Sequence, residues 1–181
     1  EREGATIIYD TFRDRIIFPI FDVAGRVIAF SGRILHPDEK APKYLNSPDT
    51  VFFSKSEVLY GLHLANSAIR KLDYSILVEG QMDLVMSYQG GFLHTVASSG
   101  TALTENHLAL LKKLSNRVVM AYDADTAGLN AALRAADLAL SLGMEVKVAV
   151  CPQGSDPADV LAEDVEAWKK ILKESKHLID F

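Results

Sequence analysis

Cysteine is nearly absent from this chain. Cys151 is its only cysteine, which excludes an intrachain disulfide and a multi-cysteine zinc site within the 181 residues. No apolar run approaches the roughly 18 to 20 residues that a membrane-spanning helix needs, and the opening Glu1-Arg2-Glu3-Gly4 lacks the layout of a signal peptide. A cytoplasmic protein with no membrane partner is the expectation. The five histidines, His36, His63, His94, His107 and His177, show no metal-ligand spacing and read as surface or satisfied core residues. A basic excess is missing too: the net charge is −5, which by itself argues against a nucleic-acid partner.

The distribution of charge says more than its sum. Residues 1–72 hold ten Lys/Arg against nine Asp/Glu, a net of +1, whereas residues 73–181 hold nine against fifteen, a net of −6. A metal site beside an anion track would produce such a split, and so would two ordinary surfaces. With 49% hydrophobic and 24% charged residues, the chain has enough apolar material for a sizeable core, in one large domain or two small ones.

Local patterns divide the chain into three parts. In residues 1–72, Arg15–Ile20 and Arg26–Ser31 are β-rich runs separated by Asp22-Val23-Ala24-Gly25, which predicts an antiparallel hairpin. The stretch His36–Pro48 is polar and punctuated by proline, and reads as loop. Apolar residues at Val58, Leu59, Leu62, Ala65 and Ile69 follow a helical period over Ser56–Lys71. From residue 73 to 157 the pattern changes to alternating strands and helices. Strands are predicted at Ser75–Val78, Phe92–Ala97, Arg117–Tyr122 and Glu145–Val150, and helices at Gln81–Gln89, Thr104–Leu114 and Thr126–Leu142. Such alternation implies a parallel sheet flanked by helices on both faces. Residues 158–181 read as a helical tail with one helix near Glu163–Glu174.

Ligands of an open parallel sheet bind outside the carboxyl ends of its strands. Three predicted strand ends carry acids there: Leu77-Val78-Glu79-Gly80, Tyr122-Asp123-Ala124-Asp125, and Ser155-Asp156-Pro157-Ala158-Asp159. If these strands are neighbours, Glu79, Asp123, Asp125 and Asp156 converge. So many like charges would repel unless a cation neutralised them. Carboxylates without paired histidines or thiolates suit a hard cation, Mg²⁺ or Mn²⁺. The competing explanation is that Asp125, before Thr126-Ala127-Gly128, and Asp156, before Pro157, cap helices, and capping leaves an oxygen over for metal. Ser98-Ser99-Gly100-Thr101 lacks the lysine of a phosphate-binding P-loop and reads as a turn near the site.

Val78-Glu79-Gly80-Gln81-Met82-Asp83, Ala97-Ser98-Ser99-Gly100-Thr101 and Tyr122–Gly128, in that order, resemble the Toprim domain of primases, topoisomerases and some nucleases. The first half narrows the resemblance. Phe12–Pro19, Gly25–Arg33, Pro42–Pro48, Phe53-Ser54-Lys55 and Leu59-Tyr60-Gly61-Leu62 are similar to blocks of the catalytic core of bacterial DNA primases of the DnaG type. The resemblance implies an α/β fold, a Toprim-type parallel sheet flanked by helices and preceded by a small mixed α/β subdomain with antiparallel strands. It also implies synthesis of short RNA primers on a single-stranded DNA template from ribonucleoside triphosphates. Glu79, Asp123, Asp125 and Asp156 would hold Mg²⁺, with Mn²⁺ as a substitute, and Arg33, Lys43, Asn46 and Lys55 would line the nucleotide or template path. Glu79 as a metal ligand and Glu79 as a proton acceptor are both compatible with the motif. Relatives carry Zn²⁺ in a flanking domain, and contact the replicative helicase through a C-terminal domain, that this sequence does not contain. Two departures from the family pattern stand out: Ala124 replaces a common glycine, and Ala158 occupies the place of a second aspartate, which leaves Asp159 doubtful as a ligand. The rival readings are another Toprim enzyme (a primase–helicase, topoisomerase or nuclease fragment) and an inactive module that docks DNA or a helicase.

Overall fold

The computed structural model describes residues 10–36, 41–122 and 126–177, with the backbone alone over 126–131. Two strands, β1 (Arg15–Phe21) and β2 (Val27–Ile34), form the predicted antiparallel hairpin. Its turn is closed by Asp22, whose Oδ1 accepts the N–H groups of Ala24 and Arg26 at 2.9 Å each. Within the stretch that reads as loop lies a third strand, β3 (Tyr44–Asn46), antiparallel to β2. Pro42 and Pro48 flank the paired residues without entering them, and the Arg15 guanidinium ties the segment down by donating to the carbonyls of Gly32 (3.0 Å) and Pro42 (2.9 Å). Three residues are too few to carry a period.

Helix α1 (Leu62–Leu72) starts later than its apolar spacing implies. Tyr60 is held extended by reciprocal backbone hydrogen bonds with Ala97 (2.9 and 3.0 Å), so the chain cannot coil before Gly61. Gly61 has φ +82°, a conformation that favours glycine, and a Cβ there would also crowd the end of the Leu84 side chain.

The remaining elements are β4 (Ser75–Val78), α2 (Gln81–Gln89), β5 (Thr95–Ala97), α3 (Glu105–Lys112), β6 (Arg117–Tyr122), α4 (Thr126–Ser141), β7 (Glu145–Val150), α5 (Pro157–Glu163), α6 (Val165–Lys173) and β8 (Lys176–His177). Strand β5 is shorter than expected because the Phe92 carbonyl is taken by a turn, accepting from the Thr95 hydroxyl at 2.8 Å. The single helix expected near Glu163–Glu174 is two helices. They part at Asp164, whose carboxylate caps α6 by accepting the Glu166 N–H at 2.8 Å. The sheet order is β5-β4-β6-β7-β8, with the first four strands parallel and β8 antiparallel to β7.

Alternation of side chains along the strands sends successive residues to opposite faces, and both faces are covered. Leu77, Val96, Val118, Met120 and Val146 pack with α1, α3 and α4 on one side. Ile76, Val78, Val119, Ala121 and Ala149 pack with α2, α5 and α6 on the other, where Trp168 is fully buried. No helix among the described residues is long and apolar enough to cross a membrane.

His94 sits in the second of these clusters, edge-on to Tyr74 at 4.5 Å, and Phe92 bridges it to Trp168. Its Nε2 has no hydrogen-bond partner among the described residues. Burial pushes its pKa down to about 4 from an ordinary value of 6.5. The folded state therefore resists a proton that the unfolded state accepts, so this stability is fully present above pH 6.5 and is lost as pH falls toward 4. Replacing His94 with leucine should flatten the fall in melting temperature between pH 7 and pH 5 by on the order of 5 °C relative to wild type, read by circular dichroism. Parallel pH curves for the two proteins would contradict it.

Candidate active site

Strands β4, β6 and β7 are immediate neighbours and run the same way. Their carboxyl ends therefore open on one edge of the sheet, which is the geometric condition for the strand-end acids to meet. Glu79 follows β4, and its carbonyl is gripped by the next loop, accepting the Ser99 N–H at 2.9 Å and the Ser98 hydroxyl at 3.5 Å. That loop needs left-handed residues in succession, Ser99 (φ 58°) and Gly100 (φ 82°). Asp123 and Asp125, with Ala124, lie outside the described residues. Asp156 ends the loop after β7 as the N-cap of α5: its Oδ1 accepts the Asp159 N–H at 2.7 Å, and Asp159 reciprocates at 3.4 Å. Capping engages one oxygen of Asp156 in these contacts, so the helix-cap explanation holds for this residue without consuming the whole carboxylate. Among the described residues, no three His, Cys, Asp or Glu side chains gather as a metal site.

A cleft of about 680 Å³ opens at this edge, between the large sheet and the small one. Glu79, Ser99 and Tyr122 line it from the sheet side, Tyr44 and Asn46 from β3, and Arg134 from α4. Tyr44 and Asn46 share a face of β3 because side chains alternate along a strand. Two polar atoms here are buried and have no partner among the described residues: Asn46 Oδ1 and Ser99 Oγ. Orphaned polar atoms cost free energy unless something fills the site with donors and acceptors. The Tyr122 hydroxyl is pushed far above its ordinary pKa, first by burial and then by the charge of Glu79. It stays protonated and is available as a donor.

Of the candidate cations, Arg33 and Lys55 stand near this cleft and Lys43 does not. The Arg33 guanidinium lies 5.9 Å from the centre of the Tyr44 ring, opposite Tyr44 in the β2–β3 register. Burial raises the Tyr44 pKa, Arg33 lowers it, and Asp83 and Asp156 raise it, so these four groups share one electrostatic neighbourhood. Lys55 borders a small adjoining hollow that shares Asn46, Ser98 and Ser99 with the cleft. Lys43 is exposed and borders neither hollow; its backbone, not its side chain, is used, accepting the Ile34 N–H at 3.0 Å. Thus Glu79 and Asn46 come together in the cleft, Lys55 stands beside it, and Arg33 reaches it through Tyr44.

Two residues that composition and strand-end position did not single out belong to this site. Asp83, nearly buried, accepts the Gly80 N–H through Oδ2 (2.9 Å) and the Ala158 N–H through Oδ1 (3.2 Å), which joins the start of α2 to the start of α5. Gln81 donates to Ser31 Oγ at 2.8 Å in a buried contact that stitches the small sheet to the large one. Position 83 was visible as part of the Glu-Gly-x-x-Asp run, but its partner at Ala158, 75 residues away, was not.

A parallel sheet whose carboxyl edge carries Glu79 and Asp156, faced across a cleft by a small antiparallel sheet, is the arrangement of a Toprim-type fold with an appended antiparallel subdomain. Residues 76–161 match the Toprim-like family model, and residues 1–66 match that of the DNA primase catalytic core, N-terminal domain. The chain belongs to the bacterial DNA primase family. It is 44% identical over 177 residues to the DNA primase of Clostridium acetobutylicum, covering 96% of this chain and 29% of that protein. The Aquifex aeolicus primase crystal structure, comprising zinc-binding and RNA polymerase domains, superposes with a TM-score of 0.91 at 39% identity, over 98% of this chain and 44% of that one. A DnaG primase catalytic domain solved bound to single-stranded DNA superposes at 0.85 with 41% identity, over 94% of this chain and 54% of that one. The chain spans under a third of the length of the curated relatives it matches.

Proposed function

We propose that this chain is the part of a DNA primase that binds ribonucleoside triphosphates and joins them into RNA primers on a single-stranded DNA template. The observation that carries this reading is the cleft itself, where Glu79, the orphaned Asn46 Oδ1 and Ser99 Oγ, and flanking cations gather at the carboxyl edge of a Toprim sheet. In the reaction, a primer 3′-hydroxyl oxygen attacks the α-phosphorus of the incoming nucleotide. The bond to the β,γ-pyrophosphate breaks, pyrophosphate departs, and the hydroxyl proton is lost to solvent or to a carboxylate such as Glu79.

Glu79 and Asp156, with Asp123 and Asp125, are the residues that would hold Mg²⁺ or Mn²⁺, a donor set of hard oxygens suited to either. Bound there, the ion would neutralise triphosphate charge and favour ionisation of the attacking hydroxyl. The chain's own groups do the rest. Lys55 and Arg134 offer positive charge to phosphates, Tyr122 offers a protonated hydroxyl, Asn46 and Ser99 offer unfilled hydrogen-bonding capacity, and Arg33 stiffens Tyr44 as an aromatic wall on which a base can stack. The replicative helicase, and a Zn²⁺ site in a flanking domain, belong to this reading as properties of the complete primase.

The test is templated primer synthesis with and without Mg²⁺, on wild type and on Lys43→Ala and Lys55→Ala. Long surface cations usually cost 0.5 kcal/mol or less on removal, so melting should barely change. Synthesis should fall about tenfold or more in Lys55→Ala, and less in Lys43→Ala. Unchanged synthesis in both variants would show that the basic half is ordinary surface.

A further inference from the structure

Helix α3 begins with a Thr-x-x-His sequence, and the structure uses it twice. As a cap it is reciprocal: Thr104 Oγ1 accepts the His107 N–H at 3.2 Å, and His107 Nδ1 accepts the Thr104 N–H at 3.3 Å. Capping needs no more than these two contacts. Yet each side chain has a second polar function, and both are spent on one distant segment. The Thr104 hydroxyl donates to the Ser56 carbonyl at 2.6 Å, and His107 Nε2 lies 2.9 Å from the Lys55 carbonyl. With Nδ1 accepting from Thr104, the ring must carry its proton on Nε2, so His107 donates to Lys55. His107 is fully buried, and burial holds its pKa below the ordinary value, which favours the neutral ring.

The gripped segment has no regular secondary structure of its own. Among the described residues its other hydrogen bonds are local, such as the Lys55 N–H to Asp49 Oδ1 at 3.2 Å. Consecutive carbonyls, 52 and 48 residues before their donors, are therefore anchored to the large sheet's helix layer by this one pair. Lys55 lines the small hollow that also has Asn46 and Ser99 in its wall.

We propose that Thr104 and His107 are positioning residues: they hold the Lys55–Ser56 backbone, and through it present the Lys55 ammonium to the triphosphate in the cleft. The proposal rests on the nucleotide reading of Lys55. Neither residue touches the nucleotide. They act from the far side of the loop, and fix a long flexible cation that would otherwise lose conformational freedom on binding.

Equilibrium binding of ribose-labelled ATP in Mg²⁺, with melting curves, tests it. His107→Leu keeps an apolar ring-sized group but cannot hold Lys55, and should raise the ATP Kd about tenfold. His107→Gln, whose amide carries one acceptor and one donor, should restore most of the affinity. Thr104→Val, which releases Ser56 while keeping the side chain's shape, should weaken binding severalfold and provides the answer if His107→Leu does not fold. The decisive arm is the combination with Lys55→Ala. If the pair acts through Lys55, His107→Leu should add less than about twofold in that background, whereas a merely structural residue would add its full effect. Full additivity, or wild-type affinity in both His107→Leu and Thr104→Val, overturns the positioning role while leaving Lys55 in the nucleotide path. Wild-type affinity in Lys55→Ala alone removes the nucleotide reading of Lys55 and the positioning role with it.

Discussion

Replacing Glu79 with glutamine should lower templated primer synthesis by on the order of a hundredfold to a thousandfold, with melting unchanged or slightly raised. Glutamine matches glutamate in shape. The hydrogen bonds that Ser98 and Ser99 make here go to the Glu79 backbone carbonyl, so they survive the exchange. What disappears is one negative charge at a sheet edge that also receives Asp156, and whose sequence continues into Asp123 and Asp125. Removing one carboxylate lowers the repulsion among like charges at this edge and weakens the protein's hold on a hard cation. Mn²⁺ binding followed by calorimetry should weaken in step with synthesis, and Asp123→Asn and Asp125→Asn should behave alike. A Glu79→Gln protein that binds Mn²⁺ and makes primers like wild type would remove the carboxylate site from the mechanism; loss of synthesis with intact Mn²⁺ binding would assign Glu79 to proton transfer.

The second large effect is expected at Asp83. Each of its oxygens accepts a backbone N–H, one from Gly80 beside Glu79 and one from Ala158 beside Asp156. Asparagine has a single acceptor oxygen, so Asp83→Asn must leave one of these N–H groups facing an amide N–H. The buried mismatch should cost about 1–3 kcal/mol in urea unfolding. It should also cut primer synthesis at least tenfold, because the loops bearing Glu79 and Asp156 lose their common brace. Stability and activity falling together is the signature to look for; an unchanged urea midpoint would mean that the two loops are held by something else.

Legibility from sequence varied with the range of the interactions involved. Strands β4, β6 and β7 and helix α2 fall where the pattern places them, because buried parallel strands are short apolar runs and the helices between them carry glycine at their ends. Elements whose limits depend on distant partners do not. Helix α1 is delayed by the Tyr60–Ala97 bridge, β3 exists only as an edge on β2, and the last helical stretch is cut by the Asp164 cap. The candidate site divides the same way. Glu79 and Asp156 are recognisable as strand-end acids, whereas nothing local marks Arg134 on α4, or distinguishes His107 from a surface or satisfied core histidine.

By itself, then, the order of residues determined the alternation of strands and helices, the placing of carboxylates at strand ends, and the family. Periodicity and short motifs are properties of neighbours in the chain, and can be read from them. Only the tertiary structure decided that β4, β6 and β7 are adjacent, that Tyr44 and Asn46 face Glu79 across a cleft, and that Asp83 and His107 each bind backbone more than 50 residues away. Those contacts depend on strand order and on the approach of two sheets. Both are set by burying apolar faces collectively, a quantity that no single stretch of sequence contains.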